Sequence, residues 1–68
     1  MYMKRVVLER KKLGWSQAEF ARRACVNASS MSRIELGYEP AYPIRGKRIA
    51  DALGWPGNPS ELFEDVEV

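Results

Sequence analysis

The residues with the clearest potential for recognition chemistry lie between positions 28 and 33. At helical spacing, one narrow face carries Ala28, Ser29, Ser32 and Arg33, with no bulky apolar side chain to block close approach. The Arg33 guanidinium can form two hydrogen bonds with the edge of a guanine, and the Ala28 methyl can contact a thymine methyl. Ser29 can donate or accept a hydrogen bond but discriminates poorly between bases. This face has the chemistry of a surface that reads DNA bases.

Residue types needed for catalysis or metal binding are scarce. The chain has one cysteine and no histidine, so it cannot form an internal disulfide and offers almost nothing to zinc. Ser29, Ser30 and Ser32 have no histidine to activate them, and the acidic residues are too dispersed to act as a catalytic pair. We therefore predict no enzyme activity, no metal, no cofactor and no small-molecule ligand.

Length and composition are those of one small globular domain. The 68 residues are 46% hydrophobic and 29% charged. A domain of this size buries only about 60% of the surface that its unfolded chain exposes. No run of apolar residues approaches the ~20 that a bilayer crossing needs, and no apolar signal segment begins the chain. We therefore expect a soluble, cytoplasmic protein with no membrane partner.

Charge is distributed very unevenly along the chain. All eleven lysines and arginines lie within residues 1–48, which contain four acids, so this part carries a net charge of +7. Residues 49–68 contain five acids and no base, a net charge of −5. A basic body with an acidic end is typical of a surface that binds a polyanion and a second surface turned away from it. The alternative is ordinary solvated charge.

The strongest local signal is a predicted helix start at residues 15–20. Ser16 can cap a helix, Glu19 completes a capping box, and Trp15 with Phe20 can form a hydrophobic staple. This helix is predicted to end at Ala24.

A second helix start follows within three residues. Asn27 can cap a helix over residues 28–36, and Gly37 can end it. Two capped helices with a short connection satisfy the description of a helix-turn-helix, whose second helix enters the major groove. The free amides and positive dipole at the start of the preceding helix suit a phosphate. The alternative is a plain helical hairpin with a solvated polar face.

Weaker signals predict the flanking helices. Helical spacing favours a first helix over residues 3–13, which Gly14 can end. Residues 38–42 are predicted as a loop. Pro43 then suits the first turn of a fourth helix that reaches Leu53.

The last part of the chain predicts a short fifth helix and a tail. Asn58 can cap a helix with proline at its first position, ending near residue 64. Residues 65–68 are predicted as a frayed acidic tail, although their alternation also allows a strand. We therefore predict an all-α fold, a compact bundle of four to five helices over residues 1–64.

In order and spacing, these segments resemble the Cro and phage-repressor type of helix-turn-helix regulator. The resemblance spans roughly residues 3–64. It is carried by residues 16–21 (SQAEFA), 26–37 (VNASSMSRIELG), 49–54 (IADALG) and 59–63 (PSELF). It implies a lambda-repressor-like domain that binds double-stranded DNA sequence-specifically, with helix 28–36 in the major groove. It also implies a bacterial or phage-encoded transcriptional repressor of the prophage, mobile-element or restriction–modification type.

The resemblance assigns roles to individual residues. Those that would read bases are Ala28, Ser29, Ser32 and Arg33. Those that would bind phosphate are Gln17, Asn27, Ser30, Arg45 and Lys47. Arg10 and Glu35 would form an ion pair between the first and third helices, since their helical phases place both on the inner side. For each charged residue the alternative is solvated surface.

A homodimer on a palindromic operator is the partner arrangement that the resemblance implies. The dimer surface would include Trp55, Leu62 and Phe63; the alternative is that these side chains only close the core. A different class of function is also open, a protein–protein adaptor or an antitoxin that uses the same fold. DNA binding should weaken steeply with salt, whereas an apolar docking surface should not.

Two positions depart from the family pattern. Similar proteins usually have glycine at Cys25, because the bend favours a left-handed backbone that costs a non-glycine residue roughly 1–2 kcal/mol. We therefore interpret Cys25 as a turn residue and not as a reactive thiol. Tyr38, Glu39 and Pro40 occupy a loop where relatives often have basic residues, which weakens the case for phosphate contacts there.

Overall fold

Four α-helices and one 3-10 helix make up most of the described chain. The computed structural model describes residues 1–41 and 43–68, so Tyr42 of the predicted loop lies outside the described residues. The elements in chain order are β1 (Tyr2–Lys4), α1 (Arg5–Lys12), α2 (Gln17–Ala24), α3 (Ala28–Leu36), α4 (Ile44–Leu53), the 3-10 helix (Pro59–Phe63) and β2 (Asp65–Glu67). The predicted all-α fold with a helix-turn-helix is confirmed, and a small two-stranded sheet is added to it.

Side-chain caps determine where α2 and α3 begin. The Ser16 hydroxyl accepts a hydrogen bond from the Glu19 amide at 3.0 Å, and the Asn27 carboxamide oxygen accepts one from the Ser29 amide at 2.8 Å. Each bond satisfies an amide that the first helical turn leaves without a partner. Both caps are local contacts, which is why the sequence predicts these two starts.

One apolar core lies between the helices. The largest fully buried side chains are Val6, Phe20, Met31, Ile34, Ile49 and Leu62. Met31 and Ile34 come from one face of α3, so the core determines which side of this helix is turned outward. None of the helices in the described ranges has the length and apolar character needed to span a membrane.

The two ends of the chain form a sheet, which corrects two predictions. β1 and β2 pair antiparallel, with Met3 opposite Val66, and the ammonium of Lys4 lies 2.9 Å from a carboxylate oxygen of Asp65. The first helix therefore begins at Arg5 and not at residue 3. The end of the chain is a strand over Asp65–Glu67, the alternative that its alternation allowed, and not a frayed tail. The physical reason is that backbone groups at the two ends satisfy each other, and such non-local pairing leaves little trace in a three-residue pattern.

Candidate nucleic-acid interface

The turn between α2 and α3 determines the direction in which α3 leaves α2. Its first residue, Cys25, has φ of 55° and ψ of 42°, the one left-handed conformation of a non-glycine residue in the described chain. The next residue, Val26, is buried, and its amide donates to the Ala21 carbonyl at 2.9 Å. This anchored bend holds the start of α3 at a fixed angle to α2.

The outward face of α3 carries most of the side chains predicted to read bases. Ala28, Ser29 and Arg33 are exposed, and half of the Arg33 side chain (51%) is accessible. Ser32 is half-buried and lines a groove beside Gln17 and Glu35, so it lies deeper than the other three. The face offers one long cationic donor and small neighbours that do not block its approach to a groove.

A buried ion pair ties α3 to α1. The Arg10 guanidinium contacts both carboxylate oxygens of Glu35, with its ε-nitrogen at 2.8 Å and a terminal nitrogen at 3.1 Å. Only 13% of the Arg10 side chain and 4% of the Glu35 side chain are accessible. The remaining terminal nitrogen of Arg10 donates to the Trp15 carbonyl at 2.9 Å. This bidentate geometry matches planar guanidinium to planar carboxylate, the strong form of such a pair.

Gln17 joins the same network from the start of α2. Its side-chain nitrogen donates to Glu35 at 3.0 Å, and the residue is half-buried. A carboxamide nitrogen has two hydrogens, so the second hydrogen of the Gln17 side-chain nitrogen can still donate to another acceptor. Gln17 is thus held by the structural ion pair while it lies at the positive end of α2, where an anion is favoured.

The other predicted phosphate ligands near α3 act as caps or partners within the helix. Asn27 uses its side-chain oxygen on the amides of Ser29 and Ser30. Ser30 is half-buried, and its hydroxyl accepts a long hydrogen bond, 3.5 Å, from a terminal nitrogen of Arg33. The cap does not use the two hydrogens of the Asn27 side-chain nitrogen, so this nitrogen can donate to a phosphate.

A carboxylate lies between the two arginines of the surface. Glu39 accepts from the ε-nitrogen of Arg33 at 2.9 Å through one oxygen, and its other oxygen pairs with a terminal nitrogen of Arg45. Hydrogen bonds from Arg33, then from Arg45, lower the pKa of Glu39 from 4.5 to about 2. Arg45 also donates to the Pro40 carbonyl at 2.6 Å. We call Arg33, Glu39 and Arg45 the surface triad.

Sequence reasoning missed the surface triad. Glu39 lies six residues from each arginine, in a loop, and helical periodicity carries no information across a loop. The only sequence signal was an acid at a position where relatives often have a base. Lys47, the other predicted phosphate ligand of α4, is exposed.

The predicted dimer residues contribute to the core, in keeping with the alternative reading. Leu62 is fully buried, so it is not part of any surface, and its prediction as a dimer residue is corrected. It is buried because the 3-10 helix packs against α1 and α4. Trp55 and Phe63 are half-buried against the same core, and the Trp55 indole donates to the Asn58 carbonyl at 3.2 Å.

Comparison with known proteins identifies the family. A family model described as helix-turn-helix matches residues 8–56, which contain α2, the turn, α3 and α4. No curated protein and no solved structure matched the chain. The match covers more than half of the sequence and includes the whole candidate interface. The chain therefore belongs to the helix-turn-helix family of the Cro and phage-repressor type, a family of DNA-binding transcription regulators.

Proposed function

We propose that this protein is a transcriptional repressor that reads the major groove of double-stranded DNA with α3. The observation that carries the proposal is the division of this helix into two faces. Met31, Ile34 and Glu35 are buried, whereas Ala28 and Arg33 are exposed on the other side. Such a helix presents a single narrow face, as a major-groove reader requires. Arg33 supplies the specific contact, with two hydrogen bonds to a guanine edge.

Phosphate contacts would hold this helix in register. Helix starts and basic side chains are the groups that bind the DNA backbone, and they carry no sequence information themselves. Those assigned this role are Gln17, Asn27, Ser30, Arg45 and Lys47. Their positions at the starts of α2, α3 and α4 support the assignment, because each start adds a positive dipole end.

A symmetric homodimer would double the contact with DNA and select a palindromic operator. Trp55 and Phe63 are the partly accessible apolar residues assigned to the dimer surface. The proposed setting is the cytoplasm of a bacterium, with control of a prophage, mobile element or restriction–modification system.

Selection of bound duplexes from a random library tests the proposal. We expect the wild type to enrich a palindrome, and Arg33→Ala to lose the preference for one guanine in each half-site. Arg22→Ala is the matched control, since Arg22 is an exposed arginine of α2 that also pairs with a glutamate. It should keep the guanine preference. No enriched sequence for the wild type would contradict sequence-specific binding.

A protein–protein adaptor, with the antitoxin role as its special case, is the second candidate. It is favoured by large apolar residues that remain exposed, among them Tyr2 at 68% and Leu36 at 64%. Salt titration of DNA binding separates the two functions. In a plot of the logarithm of the binding constant against the logarithm of the salt concentration, each neutralised phosphate contributes about −0.9 to the slope. A steep slope with sequence preference supports the repressor, whereas weak, sequence-independent binding supports the adaptor.

A further inference from the structure

We propose that Glu39 is a positioning residue that sets how strongly Arg33 discriminates guanine from other bases. The inference rests on the proposed function, because it concerns the same contact between α3 and a base. It adds a residue that the family match does not identify and that does not itself have to touch DNA. It also explains why an acid lies in the basic half of the chain, next to two arginines.

The geometry of the surface triad restricts Glu39 to one orientation. Its two oxygens are engaged separately, one by Arg33 and one by Arg45. Arg45 is fixed in turn by its bond to the Pro40 carbonyl at 2.6 Å. Only 23% of the Glu39 side chain is accessible, so it is packed into the loop and not free in solvent. A carboxylate held in this way acts as a rigid support for Arg33.

The support determines which nitrogens of Arg33 remain for a base. Glu39 occupies the ε-nitrogen at 2.9 Å, so a two-bond contact with guanine has to use the two terminal nitrogens. One of these makes only a long contact with Ser30, at 3.5 Å. A guanidinium that is already oriented loses less conformational freedom when it binds, and it fits one base geometry better than others.

Glu39 also lowers the positive charge that the surface offers to DNA. Its carboxylate is ionised at neutral pH, and hydrogen bonds from Arg33 and Arg45, which lower its pKa to about 2, keep it ionised well into the acid range. A negative charge on a surface proposed to contact phosphates weakens binding to every duplex to a similar extent. Removal of the charge should therefore raise overall affinity while it lowers discrimination. A residue that only stabilised the fold would not produce these opposite changes.

The experiment measures Kd for two duplexes. The selected duplex is the one of highest affinity from the random library. The altered duplex is the same sequence except that another base replaces the guanine for which Arg33→Ala has lost its preference. Glu39→Gln removes the charge and leaves one acceptor oxygen, so separate oxygens can no longer hold the two arginines. Glu39→Asp keeps the charge but is one methylene too short to reach both arginines. Glu19→Gln is the matched control, because Glu19 also pairs with two arginines, Arg22 and Arg23.

We define discrimination as the Kd of the altered duplex divided by the Kd of the selected duplex. We expect this ratio to fall roughly three- to tenfold in Glu39→Gln, which is part of the roughly five- to 150-fold discrimination that a good bidentate contact provides. Glu39→Gln should bind the altered duplex more tightly than the wild type does. Glu39→Asp should lose discrimination without this gain, and Glu19→Gln should keep the wild-type ratio. Thermal unfolding of each variant shows whether the fold is retained.

An unchanged ratio in both folded Glu39 variants would overturn the inference, since Glu39 would then only lower the charge. The inference would also be wrong if Glu19→Gln changed the ratio as much as Glu39→Gln. These outcomes leave the proposed function intact, because the wild type still prefers one duplex. If the wild type shows no preference, the proposed function fails and the inference fails with it.

Discussion

Arginine and glutamate meet twice around α3, once beneath the helix and once on its outer side. Arg10 and Glu35 lie in the interior, with 13% and 4% of their side chains accessible. In the surface triad, Arg33 and Arg45 are accessible to 51% and 33% around Glu39. The same chemical groups therefore work in different surroundings. The buried pair holds the helix in place, whereas the accessible triad leaves the terminal nitrogens of Arg33 within reach of a further partner, which we propose to be a base.

Burial explains this difference. Two buried charges have lost their hydration and are stabilised mainly by each other. Removal of one partner therefore leaves the other buried without hydration or a counter-charge. Charges near the surface are screened, and water replaces a lost partner at little cost. An arginine that reads bases has to give up or share its partners when it binds. The comparison teaches that Arg33 can share its guanidinium with a second partner, as the proposed base contact requires, because half of its side chain stays accessible beside Glu39.

The largest expected effect is on the buried pair. Arg10→Met should lower the free energy of unfolding by about 3–5 kcal/mol, because it leaves the Glu35 carboxylate buried and unpaired. Chemical denaturation measures this change. The double variant Arg10→Met, Glu35→Leu should regain part of the loss, since it leaves no uncompensated charge. A thermal midpoint within about two degrees of wild type for Arg10→Met would contradict the role of burial.

The turn between α2 and α3 provides the next largest effect. Cys25→Gly should raise the free energy of unfolding by about 1 kcal/mol, because glycine adopts φ of 55° without the steric penalty of a side chain. Thermal denaturation measures the gain. Gly54→Ala is the matched control, since Gly54 has φ of 69° and no neighbour that a Cβ would meet. It should lose stability, and equal signs for both variants would rule out backbone strain.

The triad should show the reverse of the buried pair. Arg33→Met is expected to change the thermal midpoint little, because half of the Arg33 side chain is accessible and its ion pair is screened. Discrimination of the selected guanine should fall by about five- to 150-fold, the worth of a bidentate contact. Titration of matched duplexes measures this ratio. A large loss of stability without a change in the ratio would make Arg33 structural and would remove the contrast.

The smallest effect is the pH dependence of the triad. Glu39 has its pKa lowered from 4.5 to about 2, so its ion pairs stabilise the fold above pH 4.5 and cease to do so as pH falls towards 2. The difference in thermal midpoint between wild type and Glu39→Gln should be constant above pH 4.5 and shrink below it. Thermal scans across this range measure the difference. No difference between the two proteins at neutral pH would contradict a stabilising role for the Glu39 ion pairs.

Local signals predicted the centre of the molecule well. α2 begins after its predicted cap Ser16 and ends at Ala24 as predicted, and α3 begins after its predicted cap Asn27. Caps and helix stops involve residues only a few positions apart, so the sequence alone reveals them. The outward face of α3 followed from the helical spacing of Ala28, Ser29 and Arg33, which are exposed. Helical phase and family resemblance together predict the pair of Arg10 and Glu35, and the structure places the two side chains in contact.

Errors occurred where distant segments meet. The first helix was extended into residues that form β1, and the final residues were assigned to a tail, because each strand needs the other end of the chain as its partner. Leu62 was assigned to a surface because one short amphipathic turn does not reveal which side the 3-10 helix packs. In each case the deciding neighbour was far away in sequence.

The sequence by itself determined the helix-turn-helix and the small polar face of α3, because caps, stops and periodicity act within a few residues. Only the tertiary structure decided that the ends form a sheet, that Leu62 is buried and that Glu39 lies between Arg33 and Arg45. The physical reason is that these arrangements depend on how loops bring separate elements together. A loop conformation results from the packing of the elements it joins, and no periodic pattern within the loop encodes it.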